Sequence, residues 1–259
     1  MQASRKIAVA GATGRVGRHL TGVLAERGHD VVPMSRATGV DLITGTGLAE
    51  ALEGVGCVID AASGPSPEEQ AATEFFTTAA RNLHEVGERA GVERIVVVSI
   101  IGIDAATGGY SAAKLVQEKA YLEGPIPARI LRAAQFHEFV GQIVDWGRQG
   151  EVAYVPVMRT QLVAARTVAE ALADLATAPE PAGQLAPGTP LPEIAGPREE
   201  SMVEAAKLLV ARRGNNVEVV GVSDPNNPDR ELQESGGLLP SPHAQLAGPT
   251  FEGWLDTSV

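Results

Sequence analysis

The stretch that most restricts what this chain can fold into is KIAVAGATGRVGRHL, residues 6–20. Lys6–Ala10 is a short, unbroken apolar run, as expected of a strand covered on both faces. Gly11, Gly14 and Gly17 follow it, and Val16, Leu20, Val23 and Leu24 then recur on one helical face as far as Gly28. Glycines between a strand and a helix let the backbone turn tightly and approach a pyrophosphate, whose charge meets the helix N-terminus. The spacing is G-x-x-G-x-x-G, one residue longer in its first turn than the common dinucleotide loop. Gly11, Thr13, Gly14, Arg15, Val16 and Gly17 are therefore expected along a dinucleotide.

The rest of the first half repeats the alternation. HDVVPMSR, CVIDAAS, RIVVVSI and PARILRAA read as further strands, with Pro33 weakening the second near its end. TGLAEALEG, EEQAATEFFTTAARNLHEVGERAG and SAAKLVQEKAYLEG read as helices between them. Alternating strands and helices imply an α/β fold, a doubly wound parallel sheet with helices on both faces and right-handed crossovers. Beyond about residue 135 the rhythm loosens. HEFVGQIVDWGRQG, TVAEALADLATAP and REESMVEAAKLLVARRG look helical, the last with Glu199 and Glu200 in its first turn, and NVEVVGV looks like a late strand. The Pro/Gly-rich APEPAGQLAPGTPLP is a connector, and Phe251, Trp254 and Leu255 are expected to pin the polar tail to the body. The expected division is a dinucleotide-binding core over 1–150, joined by segments near 160–178 and 215–223, and a small C-terminal α/β substrate lobe over 151–259.

Composition narrows the function. A formal charge of −11 and a pI of about 5.0 argue against a nucleic-acid footprint. The lone Cys57 allows no internal disulfide and is read as a small buried hydrophobe on a strand. No apolar run is long enough to cross a membrane, and the basic-then-apolar N-terminus reads as a first strand rather than a leader. A cytoplasmic monomer or homodimer acting on a small molecule is expected. The scattered histidines suggest no metal site.

At the end of the second strand an NAD site would carry a carboxylate for the ribose hydroxyls. This chain has Ser35 and Arg36, and a guanidinium there suits a 2′-phosphate, with Arg15 as a second positive contact. The cofactor is therefore expected to be NADP(H), the plain alternative for Arg36 being a solvated loop residue. Asp41 and Leu42 are candidates for the adenine edge. Ala61, Ala62 and Ser63, after the third strand, should lie along the cofactor, since ligands bind beyond the carboxyl ends of such strands.

The motifs VAGATGRVGRHL, MSR, AAS, VVVSIIGID, YSAAKLVQEKA and ILRAAQFHEF together resemble the atypical short-chain dehydrogenase/reductases, specifically the NmrA-like NAD(P)-binding group. The resemblance covers nearly the whole chain. It implies a Rossmann core with a small substrate lobe, and catalytic roles for Ser99, Tyr110 and Lys114. The phenol would protonate a carbonyl, the lysine would lower the phenol's pKa and hold the nicotinamide ribose, and the serine would steady the substrate oxygen. Relatives that lack the tyrosine retain the lysine as ribose contact or acid. It also places Ala134 and Phe136 beside the nicotinamide and Gln135 and His137 at the substrate. Trp146, Tyr154 and Met158 are candidates for an apolar pocket, each with a plain alternative as core.

One departure bears on the triad. Tyr110 lies eleven positions after Ser99, a shorter connection than relatives with the full triad have, so Tyr110 is expected at the helix start, where it could point away from the site. Three functions follow: an NADPH-dependent reductase of a small apolar carbonyl, quinone or enone; an NADP(H) redox sensor without turnover; and a cofactor-assisted isomerase or dehydratase.

Overall fold

The computed structural model describes residues 4–179 and 189–258. In chain order the elements are β1 (Lys6–Ala10), α1 (Gly17–Glu26), β2 (Asp30–Met34), α2 (Leu48–Ala51), β3 (Cys57–Asp60), α3 (Glu69–Ala90), β4 (Arg94–Ile100), α4 (Gly109–Leu122) and β5 (Ala128–Ala133). There follow α5 (His137–Trp146), β6 (Arg148–Gln149), β7 (Val152–Pro156), β8 (Arg159–Thr160), α6 (Ala165–Thr177), β9 (Glu193–Ala195) and β10 (Glu200–Ser201). The chain ends with α7 (Met202–Arg212), β11 (Glu218–Val222), α8 (Arg230–Ser235), β12 (Gln245–Leu246) and α9 (Phe251–Ser258).

Seven strands form one sheet in the order β12-β9-β5-β4-β3-β1-β2. The β1–β2, β1–β3, β3–β4, β5–β9 and β9–β12 pairings are parallel, and the fold is the expected Rossmann-type α/β sheet. Sheet burial explains the sequence of β1, whose Ile7, Ala8, Val9 and Ala10 are fully buried. Pro33 is tolerated because β2 is the edge strand, where its missing N–H faces no neighbour. Leu20 and Leu24 of α1, four apart, are both fully buried, each contributing about 1.5–3 kcal/mol of transfer free energy.

The chain separates into two compact units. The first comprises Met1–Ser99, Gly109–Leu131 and Val168–Leu191, and the second Ile100–Gly108, Arg132–Thr167 and Pro192–Val259. The loop after Ser99 and the segments Arg132–Thr167 and Pro192–Val259 belong with the second unit, and Val168–Leu191 with the first. The first unit has a core of Ala8, Leu48, Leu52, Val58, Leu83, Ile95 and Ile130 among others. The second is built round Val140, Val155, Met202, Leu209, Phe251 and Leu255, so Phe251 and Leu255 do pin the tail, as expected.

Three expectations are corrected. NVEVVGV does not return to the large sheet, because β11 pairs in parallel with β7, a strand the sequence reading had missed, in a separate three-stranded sheet. The helix expected from Arg198 begins at Met202, because the Ser201 hydroxyl accepts from Glu204 N and caps it. Glu199 and Glu200 lie before it, Glu199 on the Arg159 guanidinium at 2.7 Å and Glu200 in β10. Residues 180–188 of the Pro/Gly-rich connector lie outside the described residues.

Candidate active site

The three glycines of the first loop do different work. Gly11 has φ +71°, and a Cβ there would come within 2.7 Å of Ala62 Cα and 2.8 Å of Ala61 O. Gly17 is tighter still, with Gly11 O only 2.0 Å from where its Cβ would sit. These two are glycine because the loop packs on the end of β3 and on itself. Gly14 would meet only Gly11 O, at 3.0 Å. Its outer side is open, as close approach of a ligand backbone requires. Helix α1 starts from Val16 with no side-chain cap and no acid in its first turn, so no side chain of its own neutralises the positive end of its dipole, although Arg18 N and His19 N donate to Gly14 O and Val16 O. Glycine loop and helix start thus fit a pyrophosphate.

At the end of β2, Ser35 closes a capping box with Thr38 over a 3-10 turn, Arg36–Thr38. Its hydroxyl is engaged there, whereas Arg36 is exposed and makes no ion pair among the described residues. No carboxylate occupies this strand end. Asp41 and Leu42 are not laid out as the adenine contact expected of them. Asp41 Oδ1 accepts from Ile43 N at 2.8 Å and Thr44 N at 3.2 Å, holding its own turn, and the Leu42 side chain is buried in the core. Ala61 and Ala62 lie against Gly11 as described, and Ser63 is exposed.

Tyr110 and Lys114 meet at the Phe76 ring, and the Lys114 ammonium reaches the β4 backbone one residue before Ser99, all within the first unit. Lys114 is 5% exposed, and its Nζ donates to Val98 O at 2.7 Å, one residue before Ser99. It also donates to Gln117 Oε1 and lies 4.8 Å above the Phe76 ring. Burial pushes the ammonium down to about 8, with Asp60 and then Glu118 opposing that shift. Lys114 is therefore not the exposed partner of Glu118 that a surface helix would show. Tyr110 sits in the first turn of α4, its ring edge-on to Phe76 with centroids 5.8 Å apart. Burial, and then the Asp60 charge, push its phenol up to about 12, the reverse of the lowering that the resemblance implied. Ser99 Oγ is buried and has no hydrogen-bond partner among the described residues.

The sequence reading missed what supports this group. Asp60, at the end of β3, is 1% exposed and accepts from Tyr121 Oη at 2.7 Å and from Gln117 Nε2 at 3.4 Å. One signal was available: Lys114, Gln117 and Tyr121 share a helix face at i, i+3 and i+7.

The second unit holds the other candidates. The short loop after Ser99 is clamped there, since Thr107 N donates to Asp229 Oδ1 at 2.8 Å and a Cβ on Gly102 would meet Gly237 O at 2.1 Å. Gln135 accepts from the Thr160 hydroxyl, and Ala134 N donates to Ile194 O at 3.0 Å. Phe136 bridges to Val163 and precedes α5 as its N-cap. His137 is corrected from a substrate candidate to a packing residue. It is 1% exposed, its Nε2 lies 3.1 Å from Leu162 O, its ring packs against both Phe251 and Trp254, and burial pushes it down to about 4. Met158 is core, while Trp146 and Tyr154 are 61% and 39% exposed on the surface rather than lining an apolar pocket. Among the described residues no group of His, Cys, Asp and Glu could hold a metal, and no helix is long and apolar enough to cross a membrane.

Residues 11–136 match the model of the NAD(P)H-binding family. A search of curated protein sequences finds no match. Solved structures similar to this chain include a short-chain dehydrogenase/reductase superfamily protein from Agrobacterium tumefaciens with bound NAD, at TM-score 0.68 and 17% identity over 97% of this chain and 95% of that one. A dTDP-4-dehydrorhamnose reductase from Bacillus anthracis in complex with NADP aligns at TM-score 0.65 and 16% identity, covering 98% of each chain. The NAD-dependent NDP-hexosamine 5,6-dehydratase TunA aligns at TM-score 0.69 and 16% identity over 98% and 96%. At these identities the likeness is one of fold, the Rossmann type described above.

Proposed function

We propose that this chain, whose residues 11–136 match the NAD(P)H-binding family model, is a short-chain-type, NADPH-dependent reductase of a small apolar carbonyl, quinone or enone. The observation that carries the reading is the placing of a buried lysine beside the end of β4, where Ser99 offers an unpartnered hydroxyl. A group with these contacts is poorly explained as surface solubility. Bound reduced nicotinamide supplies the hydride. The chain supplies the rest: Gly14 and the α1 N-terminus hold the pyrophosphate, and Arg36 takes the 2′-phosphate. Lys114 holds the nicotinamide ribose, and Ser99 Oγ donates to the substrate oxygen. With its titration near 8, Lys114 is the proton source at neutral pH rather than Tyr110. The Phe76 ring under Lys114 packs with Ala72, Phe75, Ala113 and Tyr110 in a small apolar cluster, which supports an apolar substrate.

A second reading, a cofactor-assisted isomerase or dehydratase, is favoured by the dehydratase among the solved structures that share this fold. A third, the redox sensor, needs binding without turnover. One experiment separates them: NADPH or NADH is mixed with the protein and a panel of carbonyls, quinones and enones, and the reduced nicotinamide is followed by absorbance. The reductase reading expects steady loss of NADPH, slower loss of NADH, and at least a hundredfold fall in Lys114→Ala. Binding without consumption across the panel refutes it. Conversion that proceeds without net loss of reductant supports the second reading.

A further inference from the structure

Asp60 ends a strand whose other residues are Cys57, Val58 and Ile59, all buried. A carboxylate in such a place is costly unless its lone pairs are used. Its Oδ1 accepts from Ala62 N at 2.9 Å, and its Oδ2 accepts from Tyr121 Oη at 2.7 Å and from Gln117 Nε2 at 3.4 Å. The Gln117 Oε1 then accepts from Lys114 Nζ. A primary amide has one donating and one accepting end, and an ionised carboxylate only accepts. Asp60 therefore turns the amide so that its donating end faces the carboxylate and its oxygen faces the ammonium.

The two charges are also matched. Burial pushes the Asp60 carboxyl up and the Lys114 ammonium down, and each pulls the other back toward its ionised form. Around Lys114, β3 contributes Asp60, β4 the Val98 carbonyl, α3 the Phe76 ring, and α4 itself Glu118, Gln117 and Tyr110.

We propose that Asp60 is a positioning residue for Lys114, keeping the ammonium charged and aimed through the Gln117 amide. The proposal rests on the reading of Lys114 as the ribose contact, but its test does not require turnover. The chain has only four lysines, Lys6, Lys114, Lys119 and Lys207, so the cofactor-free protein labelled with carbon-13 at lysine Cε can be titrated by NMR residue by residue. The Lys114 signal is identified by its loss in Lys114→Met. Wild-type Lys114 is expected to titrate near 8, and in Asp60→Asn and Gln117→Met its midpoint falls by about one pH unit or more. Lys6, Lys119 and Lys207 stay where they are. Gln117→Met keeps the side-chain volume and leaves Tyr121 on Asp60, so it reports on the link even where Asp60→Asn does not fold. A Lys114 midpoint unchanged in Gln117→Met overturns the proposal and leaves Asp60 a purely structural acid. A protein that shows the shift and binds NADPH yet reduces nothing refutes the reductase reading and leaves this one standing.

Discussion

Gly14 and Gly17 sit three residues apart in one loop, and alanine at each should fail in a different way. A Cβ at Gly17 would lie 2.0 Å from Gly11 O, 2.7 Å from Gly11 C and 2.9 Å from Ala12 Cα, all backbone atoms that cannot rotate aside. Relieving the first contact to ordinary distance requires α1 to shift by more than an ångström against β1. Overpacking of this kind costs about 1–3 kcal/mol, and a backbone obstacle belongs at the upper end. The gain in helix propensity from glycine to alanine, about 1 kcal/mol, offsets part of it. The net loss is about 2 kcal/mol, which lowers Tm by about 4–8 °C for a chain of this size. At Gly14 the only neighbour is Gly11 O at 3.0 Å and φ is not positive, so Gly14→Ala should change Tm by no more than a degree or two. Its methyl would instead stand where a pyrophosphate approaches the loop, so NADPH affinity falls at least tenfold. Thermal unfolding of the cofactor-free variants and fluorescence titration with NADPH make the comparison. A Gly14→Ala protein that binds NADPH like the wild type, or a Gly17→Ala protein of unchanged Tm, refutes this division of roles.

The remaining predictions concern specificity, pH and the loop after Ser99. If Arg36 takes the 2′-phosphate as proposed, Arg36→Glu should raise the NADPH Kd about tenfold to a hundredfold while NADH binding changes little, checked by calorimetry. His137 is neutral and buried in the folded state, at about 4, against 6.5 in the unfolded chain. The unfolded state therefore binds the extra proton first, and stability should fall by about 3 kcal/mol as pH drops from 6.5 to 4, a slope that His137→Phe flattens in denaturant titrations. Asp229→Ala leaves Thr107 N without its acceptor, at about 1–2 kcal/mol, and should speed amide hydrogen exchange over residues 103–109 more than in β1.

What could be read from the sequence was what is local. The run Lys6–Ala10, the glycine spacing and the stripe Val16–Leu24 determine strand, turn and helix within twenty residues, so each was legible. The start of α7 was misplaced because two acids looked like a first turn, while the Ser201 hydroxyl next to them is the cap that sets the boundary. His137 was expected at the substrate because sequence alone does not show that Phe251 and Trp254, more than a hundred residues later, pack against it. The support of Lys114 was hidden for the same reason: Asp60 meets Gln117 and Tyr121 across 57 and 61 positions. The short Ser99–Tyr110 loop was rightly singled out. Its anchor at Asp229, 122 positions beyond Thr107, was beyond any pattern in the segment itself.

The most direct test of the account is the position of Lys114 Nζ in a crystal structure of the complex with NADP+. The account predicts Nζ within about 3 Å of a nicotinamide-ribose hydroxyl, with the pyrophosphate over Gly14 and Arg36 on the 2′-phosphate. A cofactor bound with its nicotinamide ribose out of reach of Lys114 contradicts it.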